Sequence, residues 1–337
     1  MTKYTLASFF AGVGGIDLGF RQTNSFTTIF ANEIDPYPSQ TFRVNFPDTN
    51  LLEKDICKVD PQDVPEVTGY VFGFPCQAFS VAGLRLGFND TKNRGNLFFE
   101  VMRIAHEHKP RFLFAENVKG LVNHDNGKTF RVILETLKQE GYHVTYQVCN
   151  ACKYGNIPQN RERIYIVAFK DIEDYRNFVW PKEIPLTEGL RDIIDFDNIK
   201  DEKYYYTKGK YTGNIYEKLV EAAEGEDISN PGIYQWRRKY VRKNQNNFVP
   251  TLTANQGGGG HNVCIIQARH GFRKMTPREC FNAQGFPKDF LLPDIADSRL
   301  YKQAGNSVCV PVVERIALSI AKAMQKTDCG EIHHGCP

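Results

Sequence analysis

The run Phe10-Ala-Gly12-Val-Gly14-Gly15 follows a short apolar stretch, residues 5–10, and leads straight into a helical pattern. Its glycines let the backbone turn tightly and approach a ligand closely. A dinucleotide fingerprint would need a third glycine at position 17, which is Asp17, so a nicotinamide or flavin site is disfavoured. Glu33 closes the next apolar run, about 20 residues on, where an acid can accept hydrogen bonds from ribose hydroxyls. On this segment alone a purely structural glycine turn fits equally well.

Outward from that turn the first half keeps alternating. Residues 5–10, 26–33, 69–74, 111–117, 144–150 and 164–169 are short apolar or β-branched runs, and helical patterns such as 97–108 and 128–140 lie between several of them. This order predicts an α/β fold with right-handed crossovers around a largely parallel sheet, whose ligands sit at the carboxyl ends of the strands. Beyond about residue 171 the periodicity weakens. Residues 180–262 are rich in Lys, Arg, Asn, Tyr and Gly and include the basic run Trp236-Arg-Arg-Lys-Tyr-Val-Arg-Lys243. Patterning returns over 307–324, where Val308, Val312, Val313, Ile316, Ile320 and Met324 share one helical face. That face needs a core, and the sheet of the first half is the expected one. Residues from 327 to the end read as a loose tail.

Bulk composition narrows the classes. The hydrophobic fraction is 41%, the charged fraction 24% and the net charge +3, which suits a packed protein and neither demands nor excludes a nucleic-acid partner. No apolar run approaches the roughly 18 residues of a membrane span, and the start lacks the apolar stretch of a signal peptide. The nine cysteines are irregularly spaced apart from Cys149-Asn-Ala-Cys152. We therefore expect a cytoplasmic protein with free thiols, no membrane association and no bound metal.

Three strand ends carry chemistry. The first bears Gly73-Phe74-Pro75-Cys76-Gln77, the second Ala115-Glu116-Asn117-Val118, and the third Gln159-Asn-Arg161-Glu-Arg163. A lone cysteine is most often a small buried hydrophobe. A carboxylate at a strand end can be an acid, a base or a solvated surface group. Arg161 and Arg163 point the same way if the chain is extended there. Together these residues offer a thiol, a carboxyl and guanidiniums that one sheet would gather.

With these motifs in view, the chain resembles the DNA (cytosine-5)-methyltransferase family, of bacterial or phage restriction–modification type. The Phe-x-Gly-x-Gly turn, Pro-Cys-Gln, Glu-Asn-Val, Gln-x-Arg-x-Arg, Thr276-Pro-Arg-Glu-Cys280 with Gln284-Gly-Phe-Pro287, and Gly305-Asn306-Ser307-Val308 all occur in the family's order. The resemblance implies a Rossmann-like S-adenosylmethionine-dependent catalytic domain over 1–185 plus 305–328. A smaller, irregular target-recognition domain would occupy 186–304, followed by a tail at 329–337. It implies that Phe10, Gly12, Gly14, Glu33, Asp55, Ile56 and Asn306 line the cofactor pocket, with Pro75 on its nucleotide side. Cys76 would attack carbon 6 of a flipped-out cytosine. Glu116 would hold the N3 edge, and Arg163, with Arg161 near it, would contact the base. Thr251 and Thr253 match the family's recognition segment.

The polar, glycine-punctuated stretch 80–96 reads as a lid in which Ser80, Arg85 and Arg94 meet DNA. Arg237, Arg238, Arg242 and Lys243 are candidates for phosphate and guanine contacts. The partners implied are double-stranded DNA and a cognate restriction endonuclease, with the chain itself a monomer. A methyltransferase for RNA or a small molecule, and a catalytically silent DNA-binding protein, stay open as alternatives.

Overall fold

Strand β1 (Tyr4–Phe9) carries four consecutive buried residues and therefore belongs inside a sheet rather than on its edge. The computed structural model describes residues 4–74, 97–211, 214–224, 232–237, 239–244, 246, 248–255 and 263–334. Further strands in the first half are β2 (Phe26–Asn32), β3 (Asn50–Leu52), β4 (Gly69–Gly73), β5 (Phe112–Val118), β6 (His143–Asn150), β7 (Gln159–Asn160) and β8 (Glu162–Phe169). All of these except β7 form one sheet with β1, in the order β3-β2-β1-β4-β5-β8-β6. Strands β3 to β5 of that order pair in parallel, and β8 runs antiparallel to β5. Chain order reverses between β1 and β4. Ligand crevices of open α/β sheets form at such a switch point, outside the carboxyl ends of the strands.

Helix α1 (Gly15–Gln22) follows β1, α2 (Pro36–Asn45) follows β2, α3 (Leu97–His108) precedes β5, and α4 (Lys128–Gln139) follows it. Asp17, the residue that breaks the dinucleotide pattern, is buried in the first turn of α1. It accepts hydrogen bonds from Ser8 on β1 (3.0 Å) and Thr28 on β2 (2.9 Å), and burial pushes its carboxyl up to about 6. Phe20 of α1 packs on Phe26, Phe112 and Phe114.

The chain divides into two compact units: 1–149 with 162–182 and 310–337, and 150–161 with 183–309. This differs from the expected division, because 150–161 and 305–309 cluster with the second unit. Arg161 explains much of that, since its guanidinium bonds to carbonyls of Leu252, Gly305 and Ser307.

In the second unit, α5 (Ala151–Tyr154) precedes β7. Past α6 (Ile172–Asn177) of the first unit come α7 (Leu190–Ile193) and α8 (Ile215–Ala222). The weakly patterned region holds an antiparallel four-stranded sheet, β10-β9-β12-β13, built from β9 (Ile233–Arg237), β10 (Tyr240–Lys243), β12 (Cys264–Ala268) and β13 (Gly271–Lys274). The pair β11 (Val249–Pro250) and β7 is separate. These strands are two to five residues long, and the buried run of β9 does not alternate, so period-2 patterning gives little signal there. Helices α9 (Pro277–Asn282) and α10 (Asp297–Asn306) complete that unit.

The last helix, α11 (Val310–His334), packs on α1 in the first unit with Val312, Val313, Ile316, Ile320 and Met324 at most 1% exposed. The loose tail expected from residue 327 is corrected here: the helix continues to His334. Tyr4 donates to Asp328 (2.5 Å), and Arg111 bridges Asp328 (2.7 Å) to the buried Asp174 (2.6 Å). Among the described residues no helix is long and apolar enough to cross a membrane.

Candidate active site

The turn after β1 opens the site. Phe10, Gly12 and Gly14 all have positive φ (53°, 55° and 84°), a conformation that costs glycine little and Phe10 more. Such strain in a side-chain-bearing residue is commonly retained at functional sites. Glu33, just past β2, accepts from the backbone N–H of Gly12 (2.8 Å) and of Asp35 (2.8 Å). Burial raises its carboxyl above the ordinary range, against the pull of those N–H groups. Ile34 beside it is 63% exposed, an apolar side chain offered to solvent at a strand end. Among the described residues, a Cβ built on Gly12 would meet only the Phe10 carbonyl, at 3.9 Å, so they leave the turn open. Asp55 caps the short helix at Ile56–Lys58 by accepting from Cys57 N–H (3.0 Å), and Ile56 is buried beneath it. An open glycine turn, an acid bonded to its backbone and an exposed aliphatic side chain suit an adenosine group. Ile34 was missed in the sequence because an isolated apolar residue after a strand carries no pattern.

At the next strand ends, Glu116 is 9% exposed and faces Gly73 in the parallel register of β4 and β5. Arg163 Nε lies 3.1 Å from Glu116 Oε1, brought there by the antiparallel pairing of β8 with β5. Asn117 was also missed as a separate functional residue. Its buried Nδ2 donates to the Phe74 carbonyl (2.7 Å), while its Oδ1 accepts from Val118 N–H (2.8 Å). The clamp therefore grips the chain at the residue before Pro75-Cys76. Pro75, Cys76, Ser80, Arg85 and Arg94 themselves lie outside the described residues, as does Arg238.

Arg161 and Arg163 do not point the same way. Asn160 ends β7, Arg161 N–H turns back to the Gln159 carbonyl (3.1 Å), and β8 begins only at Glu162. The two-residue period of an extended chain is broken at that turn. Arg163 serves the Glu116 carboxylate, whereas Arg161, 2% exposed, holds three carbonyls of the second unit. Nearby, Gln159 donates to the Ala283 carbonyl, and Gln284 donates to that of Ala304 (2.8 Å). Four separate motifs thus meet in one hydrogen-bonded knot.

Gly305 is part of the knot by close approach: a Cβ there would overlap the backbone of Thr253. Gly305→Ala is expected to lower stability by about 1–3 kcal/mol in a urea titration. A change under about 0.5 kcal/mol would show that the 251–254 segment yields freely. Thr251 donates to the Asn160 carbonyl (2.6 Å), and Asn306 is the exposed last residue of α10.

The sheet order and the acid-bearing glycine turn define a Rossmann-like fold, with a carboxylate–guanidinium pair beside the β4 end. The family model for C-5 cytosine-specific DNA methylases matches residues 4–322, and the chain belongs to that family. It is a DNA (cytosine-5-)-methyltransferase. It is 53% identical over 319 residues to the Type II methyltransferase M.Bsp6I of Bacillus sp. (strain RFL6), covering 95% of this chain and 99% of that one. With the Type II methyltransferase M.SsoII of Shigella sonnei it shares 39% identity, over 96% of this chain and 81% of the relative. The fold matches a crystal structure of a Spodoptera frugiperda DNMT2 mutant with a TM-score of 0.70 at 20% identity, covering 94% and 99% of the two chains.

Proposed function

We propose that the chain methylates carbon 5 of a flipped cytosine within a short specific sequence of duplex DNA, through a covalent Cys76 adduct. The observation that carries this reading is the buried Glu116–Arg163 pair beside the strand that runs into Cys76, with Asn117 holding the Phe74 carbonyl. Carbon 5 is a weak nucleophile while the ring is aromatic. Addition of the Cys76 thiolate at carbon 6 removes the aromaticity and concentrates electron density on carbon 5. Glu116 at the N3 edge stabilises the ring charge as it develops, and Arg163 keeps that carboxyl in place and polarises the base. When bound, S-adenosylmethionine supplies an electrophilic methyl group. The turn at Phe10, Gly12 and Gly14, with Glu33, Asp55 and Ile56 and with Pro75 next to the nucleophile, would hold its nucleoside portion. Loss of the carbon 5 proton then lets the thiolate leave. The ring faces are stacked in a duplex, so the base must rotate out first, at a cost of a few kcal/mol.

The Type II relatives support a restriction–modification setting, with an endonuclease acting on the same site and the methyltransferase working as a monomer. We assign phosphate and base contacts to unit 2, through the β9–β10 hairpin and the Thr251–Thr253 region, together with the 80–96 segment. The test is incubation with labelled S-adenosylmethionine and either duplex DNA or RNA, followed by base-resolution sequencing. Methyl groups on cytosines of one DNA motif are expected. Label in RNA alone, or in neither polymer, would overturn the proposal.

A further inference from the structure

We infer that Arg242, oriented by Gln235, reads a guanine of the DNA target. The inference rests on duplex DNA being the substrate and adds which side chain supplies sequence preference. In the β9–β10 hairpin, Tyr240 pairs with Arg237, Val241 with Trp236, Arg242 with Gln235, and Lys243 with Tyr234. Side chains directly opposite one another share a face. Tyr234, Trp236 and Val241 pack into the core that includes Leu219 of α8, so Lys243 stands on the core side. Arg237, Tyr240 and Arg242 stand on the other side. The basic run is thus divided, and two of its three described candidate cations share the face turned away from that core.

Arg242 differs from the paired arginines elsewhere. Arg163 and Arg191 sit against carboxylates, which neutralise them. Arg242 is exposed, and its Nη2 donates to Gln235 Oε1 at 2.8 Å. Gln235 is 4% exposed, so the amide is a fixed post rather than a mobile surface group. Among the described residues this is the hydrogen bond that Arg242 makes, and no carboxylate forms an ion pair with it. A neutral acceptor restrains the guanidinium and leaves its full charge with several N–H groups to donate. Phosphate binding needs charge alone and tolerates a freely moving side chain. A guanine edge requires two parallel N–H groups aimed at O6 and N7, which an anchored guanidinium offers. Among the described residues β9 pairs with β12 over 233–235, and the pairs Trp236–Val241 and Arg237–Tyr240 extend past it as a two-stranded ribbon, an element that fits the major groove of B-form DNA and is excluded from the deep, narrow major groove of A-form RNA.

The experiment compares the wild-type chain with Arg242→Ala, Arg242→Lys and Gln235→Leu on a random-sequence duplex library, reading methylated motifs and the salt dependence of binding. Arg242→Ala should lower the rate on the preferred sequence by roughly 5- to 150-fold relative to sequences altered at one G·C pair away from the target cytosine. Arg242→Lys should show the same relaxed position, because charge is kept but the fork is lost. Gln235→Leu should relax that position less, with the cation still in place. A rate loss that is equal for every sequence, with a log–log salt slope flatter by about one unit, would make Arg242 a phosphate contact and overturn the inference. An unchanged motif in both Arg242 variants would overturn it as well. If the wild-type chain methylates no duplex DNA, the proposed function itself falls and the inference falls with it.

Discussion

Cys76→Ser is expected to reduce methyl transfer by at least about a thousandfold, on the order of 4 kcal/mol of barrier, while DNA and cofactor binding persist. A cysteine thiol ionises near pH 8.5, so a useful fraction is thiolate at neutral pH, and a serine hydroxyl supplies almost none. In the proposed mechanism addition to carbon 6 comes first, so weakening the nucleophile blocks every later step. Single-turnover rates on a duplex carrying the preferred motif provide the measurement. A rate within tenfold of the wild type would remove Cys76 from the mechanism.

A duplex with 5-fluorocytosine at the target adds an independent readout. Fluorine cannot leave carbon 5 as a cation, so the adduct should persist through denaturing electrophoresis, carry one methyl group and map to the peptide containing Cys76. Efficient methylation of ordinary cytosine with no trapped species would sink covalent addition.

Glu279→Gln should cost about 3–5 kcal/mol of stability, the range for removing one partner of a buried ion pair. Arg273 is 0% exposed and donates to Glu279 through Nη1 (2.8 Å) and Nη2 (2.7 Å). Glu279 also accepts from Thr276 N–H (2.8 Å) and Asp195 N–H (2.9 Å), and Thr276 caps α9 in return. One carboxylate therefore ties β13, α9 and the 195 loop together. A neutral amide would leave the guanidinium charged, buried and uncompensated. Denaturant unfolding at matched ionic strength measures the loss, and a change below about 1 kcal/mol would show that water or a shifted side chain compensates the guanidinium. Replacing both partners by apolar residues of similar volume should recover much of it, since the unpaired charge is then gone.

Thr276-Pro-Arg-Glu279 shows how a motif can be readable while its purpose is not. Its capping signature is local, a threonine with an acid three residues on. The partner Arg273 lies on a different element, and nothing in the spacing distinguishes it from a surface arginine. Asn117 is a similar case: its motif was evident, but its clamp on Phe74 depends on a residue just past the end of another strand. The basic run at 236–243 likewise read as a single cluster. Hairpin register separates Arg242 from Lys243, and no charge count reveals that.

The sequence by itself determined the elements of the first half and the glycine turn at Phe10–Gly14. It also determined that a carboxyl and a guanidinium stand at strand ends. Those features depend on periodicity and turn chemistry within a few residues. Only the tertiary structure decided the strand order and the pairing that sets Arg163 against Glu116. It also decided the parting of Arg161 from Arg163, the small sheet of the second unit and the continuation of α11 past residue 327. Each of these depends on pairing or burial between segments far apart in the chain. Such long-range contacts override local pattern wherever strands are short or doubly buried, or where one turn breaks the period.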